Sequence, residues 1–76
     1  MTLTEFSVLT EEQKALTVWQ GQFMTYREEV EFMIMLYKVH DFYVEVYYNN
    51  KNNRLIKFNP FSSKKRLEFY FDVSLN

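Results

Sequence analysis

At 76 residues the chain has room for one domain and one core, because a chain of this size buries only about 60% of the surface it exposes unfolded. A hydrophobic content of 47%, with eight Phe, six Tyr and one Trp, is too apolar for a disordered segment and supplies large rings to a small core. The absence of cysteine excludes disulfides, thiolate zinc sites and thiol nucleophiles, and a net charge of −1 exerts little long-range pull on a polyanion.

The first expected element is a helix. Thr10-Glu11-Glu12-Gln13 reads as a capping box, in which the threonine hydroxyl accepts from the Gln13 amide and the Gln13 side chain reaches back to the Thr10 amide. Glu11 and Glu12 suit the positive end of the helix dipole, and Leu16, Trp19 and Phe23 form a stripe expected to face a sheet. Gly21, the only glycine, falls where a left-handed helix stop is expected. Beyond it, residues 22–27 read as a first strand, with a helical continuation as the alternative.

Two β-branched and aromatic runs follow, Val30 to Val39 and Phe42 to Tyr48, separated by hairpin spacing. Asn49-Asn50-Lys51-Asn52-Asn53 is a turn, since asparagine side chains satisfy backbone groups locally and tolerate the left-handed region. A third run, Arg54 to Phe58, is expected to end at Asn59-Pro60, where proline removes a ladder donor. The tail from Leu67 to Leu75 alternates with period two and reads as a strand, while a short helix capped by Ser62 or Ser63 is the competing reading for residues 64–71. The expected fold is a single α+β domain spanning residues 1–76, one N-terminal helix on an antiparallel meander of three to five strands.

Period two separates the faces of these strands. Phe42, Val44, Val46 and Tyr48 form a core face, whereas Met33, Met35, Tyr37, Tyr43, Tyr47 and Tyr70 read as a second surface rich in tyrosine and methionine. One helix covers only one side of a sheet. The C-terminal segment folds over the second surface, the surface is simply exposed, or another polypeptide meets it, tyrosine and methionine being well suited to adaptable contacts.

Catalytic motifs are sparse. Phosphate-cradling loops, dinucleotide fingerprints and nucleophile elbows need two or more glycines, and a histidine pair for zinc is impossible with His40 alone. His40 and Asp41 lie in a turn, where adjacent side chains point apart, and Glu28, Glu29 and Glu31 read as solvated surface. No catalytic residue, metal or cofactor is expected. Charge is nonetheless divided: residues 1–45 carry eight acids against three bases, and residues 46–76 six bases against two acids. Arg54, Lys57, Lys64, Lys65 and Arg66, with Phe58 and Phe61 near them, have the mixture that binds single-stranded nucleic acid, where cations follow phosphates and rings stack on bases.

Trp19-Gln20-Gly21, Leu36-Tyr37 and Phe42-Tyr43-Val44-Glu45-Val46-Tyr47-Tyr48-Asn49 resemble a group of small bacterial proteins of unassigned function, over roughly residues 18–62. The resemblance implies a bacterial setting and no catalytic residue. Met1 to Glu5 lack the basic region and apolar run of a signal peptide, and no stretch approaches the ~20 apolar residues of a membrane span, so a cytoplasmic location without a membrane partner is expected. The functional expectation is a non-enzymatic protein-binding or self-associating module, a homodimer or a partner of another protein. Single-stranded nucleic-acid binding through residues 51–66 is the first alternative, and a small enzyme with a carboxylate or tyrosine site the second.

Overall fold

A computed structural model describes residues 1–71. Two short N-terminal helices, α1 (Leu3–Ser7) and α2 (Glu11–Trp19), precede four strands, β1 (Gln22–Glu28), β2 (Phe32–Val39), β3 (Phe42–Asn49) and β4 (Leu55–Phe61), and a 3-10 turn closes the described chain at Lys64–Phe69. The strands form one antiparallel sheet in the order β1-β2-β3-β4. The α+β class and the meander are therefore as expected from the sequence, with one helix more.

Both helices begin in capping boxes. Thr10 and Gln13 satisfy each other's backbone amides as the sequence requires, and Thr2 does the same with Glu5 at the start of α1. Five residues are too few for a helix to hold itself in water. What fixes α1 is Phe6, wholly buried against the rings of Phe42 and Phe58 at centroid distances of 5.7 and 6.4 Å. Val18, Val39, Val44 and Val46 complete this core, with Leu3, Leu9 and Ala15 packed against it.

The buried side of α2 is not the expected stripe. Val18 is buried and Ala15 half-buried, whereas Leu16 is exposed and Trp19 lies at the rim against Tyr37 and Phe58. Small side chains let a nine-residue helix sit close to the sheet, and Phe23 belongs to β1 rather than to the helix. Gly21 explains how close. Its φ is not positive, so it is no left-handed stop; a Cβ there would lie 2.7 Å from the Lys38 carbonyl oxygen and 3.1 Å from Val39 Cγ2. Glycine is required by the close approach of the α2–β1 junction to the end of β2.

The remaining differences have local causes. Val30 stands 98% exposed in the tight Glu29–Phe32 turn, where backbone bonds between these two residues close the β1–β2 hairpin. His40 and Asn53 take φ of 54° and 59°, the left-handed region that histidine and asparagine enter more readily than most residues. Strand β4 runs through Pro60 to Phe61 because it is an edge strand, whose outer side has no ladder to interrupt. Residues 67–69 are in the 3-10 turn capped by Ser63, not in a strand, and the rest of the expected tail strand beyond residue 71 lies outside the described residues.

Replacing Gly21 by alanine pushes a methyl group into backbone rather than into a yielding side chain. We expect Gly21→Ala to lower the unfolding free energy by about 1–3 kcal/mol in urea titrations, although alanine at a position without positive φ ordinarily stabilises by restricting the unfolded chain. Wild-type stability in that variant contradicts the packing account.

Candidate interaction surface

Register decides what each side of the sheet holds. The two-residue connection between β2 and β3 pairs Val39 with Phe42, Tyr37 with Val44, Met35 with Val46 and Met33 with Tyr48. Directly paired residues share a face. Met33, Met35 and Tyr37 thus lie on the helix-bearing side with Val44 and Val46, while Tyr43 and Tyr47 lie on the reverse with Ile34 and Leu36. The six residues expected to form one surface are split between two, and only the first three belong to a partly open one.

The reverse side is occupied by the chain itself. Its centre is Glu45, 0% exposed and the one buried charged residue among the described residues. Four donors from three separate parts of the chain converge on this carboxylate: Arg66 Nε at 2.7 Å and Tyr70 hydroxyl at 2.6 Å from the C-terminal segment, Asn59 Nδ2 at 2.7 Å from β4, and Arg27 Nη2 at 3.4 Å from β1. The Arg27 guanidinium also pairs with Glu29 and lies 5.3 Å from the ring centres of both Phe69 and Tyr70, and Arg66 lies 5.4 Å from Phe69. The C-terminal segment is therefore held down by charge-assisted bonds and cation–π contacts over Ile34, Leu36, Tyr47 and Phe61, all buried.

Burial alone raises the Glu45 carboxyl, but the hydrogen bonds from Tyr70, Arg66 and Asn59 together with the Arg66 charge outweigh it, and the pKa lies below the ordinary 4.5. Burial and the bond to Glu45 push the Tyr70 hydroxyl upward, which keeps it a neutral donor. The arrangement is saturated: each carboxylate oxygen has two donors, so its chemistry is that of a fastening.

The basic residues near the C-terminus are used unevenly. Arg66 is committed to Glu45, and the Lys57 ammonium sits 4.6 Å from the Tyr47 ring centre. Arg54, Lys64 and Lys65 are exposed. Phe58 and Phe61, the rings expected to stack on bases, are buried, the first under α1 and the second against Tyr43. His40 and Asp41 are exposed at the β2–β3 turn, and Glu28, Glu29 and Glu31 around the β1–β2 turn. No group of three or more His, Asp or Glu side chains that could hold a metal ion occurs among the described residues, and no described helix is long and apolar enough to cross a membrane.

The helix-bearing side is only partly covered. The helices shield Phe42, Val44, Val46 and Phe58 and leave an aromatic surface across α2, β1 and β2. Trp19, Phe23 and Tyr26 are 46%, 48% and 53% exposed. Tyr37 joins the first two, its ring centre 5.6 Å from Trp19 and 5.5 Å from Phe23 in tilted and edge-on contacts. Met33, Met35 and Tyr48 extend the surface into an open depression rimmed by Asn50 and Asn53. Trp19, Phe23 and Tyr26 fell outside the surface expected from the sequence, which placed the first two on the core side of a helix; the strand reading of residues 22–27 held the signal for Phe23 and Tyr26 but not for Trp19.

Comparison of the chain with protein-family models, with curated proteins and with solved structures found no match. The chemistry of the surface itself carries the functional reading.

Removing the Glu45 carboxylate leaves Arg66 without its carboxylate partner beside a covered apolar layer and Arg27 with Glu29 alone. We expect Glu45→Ala to cost about 3–5 kcal/mol, the usual scale for deleting one partner of a buried ion pair. Because the folded-state pKa is depressed, the stabilisation is complete above the unfolded value and is lost as pH falls through the folded one. Urea midpoints of the wild type should hold between about pH 7 and 5.5 and drop below about pH 4, whereas Glu45→Gln starts lower and loses less on acidification. Identical acid profiles for the two proteins contradict the assignment.

Proposed function

We propose that this chain is a non-enzymatic protein-binding module that meets polypeptide, including copies of itself, through the aromatic surface of α2, β1 and β2. The observation that carries the reading is the locked cluster of Trp19, Phe23 and Tyr37 beside the exposed Tyr26. Rings already held by one another present area without losing much side-chain freedom on association, and aromatic and methionine side chains are enriched in interfaces. Monomeric proteins seldom leave several large rings and methionines contiguous and uncovered. The contrast within the molecule supports the same conclusion: the opposite side is sealed by its own chain around Glu45, so the open side is not a general failure to cover a small sheet.

A photoreactive benzoylphenylalanine placed at position 23 and activated in the source cells tests this reading. The expected result is a discrete protein adduct, with a second copy or with another chain, that is absent when the same group replaces Ile56, an exposed apolar residue of the far edge strand β4. Equal labelling at the two positions, or none at either, removes the proposal.

A further inference from the structure

Cations and rings are shared unequally between the two sides of the sheet. The three cations borne by strands, Arg27, Lys38 and Lys57, pair across the ladders with Ile34, Tyr43 and Tyr47, so all three lie on the reverse side. There the rings have cations: Arg27 lies 5.3 Å from the centres of Phe69 and Tyr70, Lys57 4.6 Å from Tyr47, and Arg66 5.4 Å from Phe69 and 5.9 Å from Phe61. On the open side no cation lies over Trp19, Phe23, Tyr26 or Tyr37 among the described residues. Lys14 of α2 is paired with Glu11 and lies 6.0 Å from the ring centre of the buried Phe6. What the open side carries instead is carboxylate. Glu28 pairs with Met33 as Tyr26 pairs with Met35, so Glu28 and Tyr26 are neighbours on one side of β1. Glu28 is exposed and has no ion-pair partner among the described residues. Glu12, also exposed, heads the stripe of α2 that continues through Leu16 to Trp19. We infer that the polypeptide met by the aromatic surface is a cationic segment of a different protein, its arginine or lysine side chains lying over the exposed rings and against the Glu28 carboxylate.

This deepens the protein-binding reading and rests on it. The face of an aromatic ring is negative and attracts a cation within about 6 Å of its centre, a contact this chain already makes repeatedly on its reverse side. Tyr26 and Glu28 stand about 7 Å apart along the strand, inside the ~8 Å screening length at physiological salt, so one guanidinium is within reach of both. An acidic partner would be repelled by the same carboxylate, and a neutral one would cover it without a counter-charge. A second copy is the poorer occupant. Lys14, Arg27, Lys57 and Arg66 are engaged within their own chain. The exposed bases are parted between the two ends of the sheet, Lys51 and Arg54 in the β3–β4 turn and Lys38, Lys64 and Lys65 toward the other end, with Arg54 the only arginine among them.

Trp19, the only tryptophan, is a fluorescent reporter within the surface. A disordered peptide of repeated Gly-Ser-Arg, titrated to about 1 mM, should shift its emission to saturation. The same peptide with citrulline, which keeps the shape of arginine without its charge, should bind at least about tenfold more weakly, and raising salt from about 50 to about 500 mM should weaken the arginine peptide severalfold. Glu28→Gln and Tyr26→Leu should each lower affinity about threefold or more. Glu68→Gln, which removes the same charge from the exposed C-terminal segment, should leave it unchanged; all three positions are exposed, and circular dichroism checks the fold. Equal binding of the arginine and citrulline peptides, no binding of either, or equal losses in Glu28→Gln and Glu68→Gln overturns the inference. Mass spectrometry of the adduct formed from position 23 separates it from the broader reading. A cross-linked segment of another protein that carries Lys or Arg supports both; a segment without them, or a second copy, removes the cationic inference and leaves the protein-binding reading standing; no adduct at either position removes both.

Discussion

A carboxylate placed in the middle of an apolar layer is the constraint around which one half of this molecule is arranged. Glu45 lies on the central strand β3, and a charge cut off from water there must be met by donors or it costs several kcal/mol. No neighbour on β3 supplies one. The donors come from β1, β4 and the segment after β4, so satisfying a single side chain fixes the placing of three parts of the chain at once. The rings of Phe69 and Tyr70 then lie against Arg27, and Phe69 against Arg66, which extends the same fastening from hydrogen bonds to cation–π contacts.

With its reverse side closed in this way, the sheet has only its helix-bearing side partly open. The helices are short and cover only part of the other side, leaving aromatic residues of α2, β1 and β2 in solvent. Covered side and open side are thus not separate features. Charge fastens the first with the C-terminal segment, and the limited reach of α1 and α2 produces the second.

Much of the fold could be read from residue patterns because its signals are local. The Thr10–Gln13 capping box, the asparagine turn, the strand character of β2 and β3 and the Ser63 cap each depend on neighbours within a few positions. The Thr2–Glu5 box carried the same information about α1 and went unread. The composition of the open surface was less legible, for a geometrical reason. Period two separates the sides of one strand, but which side of β2 joins which side of β3 depends on the length of the connection between them. With two residues in that turn, odd-numbered positions of β2 join even-numbered positions of β3, so Met35 keeps company with Val46 and not with Tyr47. Glu45 was hidden in the same way: alternation marks it as a polar interruption, and its partners are 14 to 25 residues away in sequence.

The order of the strands also bears on how the molecule assembles. Each strand pairs with the one just before or after it, so all three ladders close across tight turns. Such local topology reduces the loop entropy that slows β proteins and allows hairpins to form in succession as the polypeptide emerges from the ribosome. The Glu45 carboxylate alone must wait. Until Arg66 and Tyr70 have been synthesised two of its donors do not exist, so a nascent chain with a finished sheet still exposes Ile34, Leu36 and Phe61, and the reverse side closes only when the segment after β4 follows.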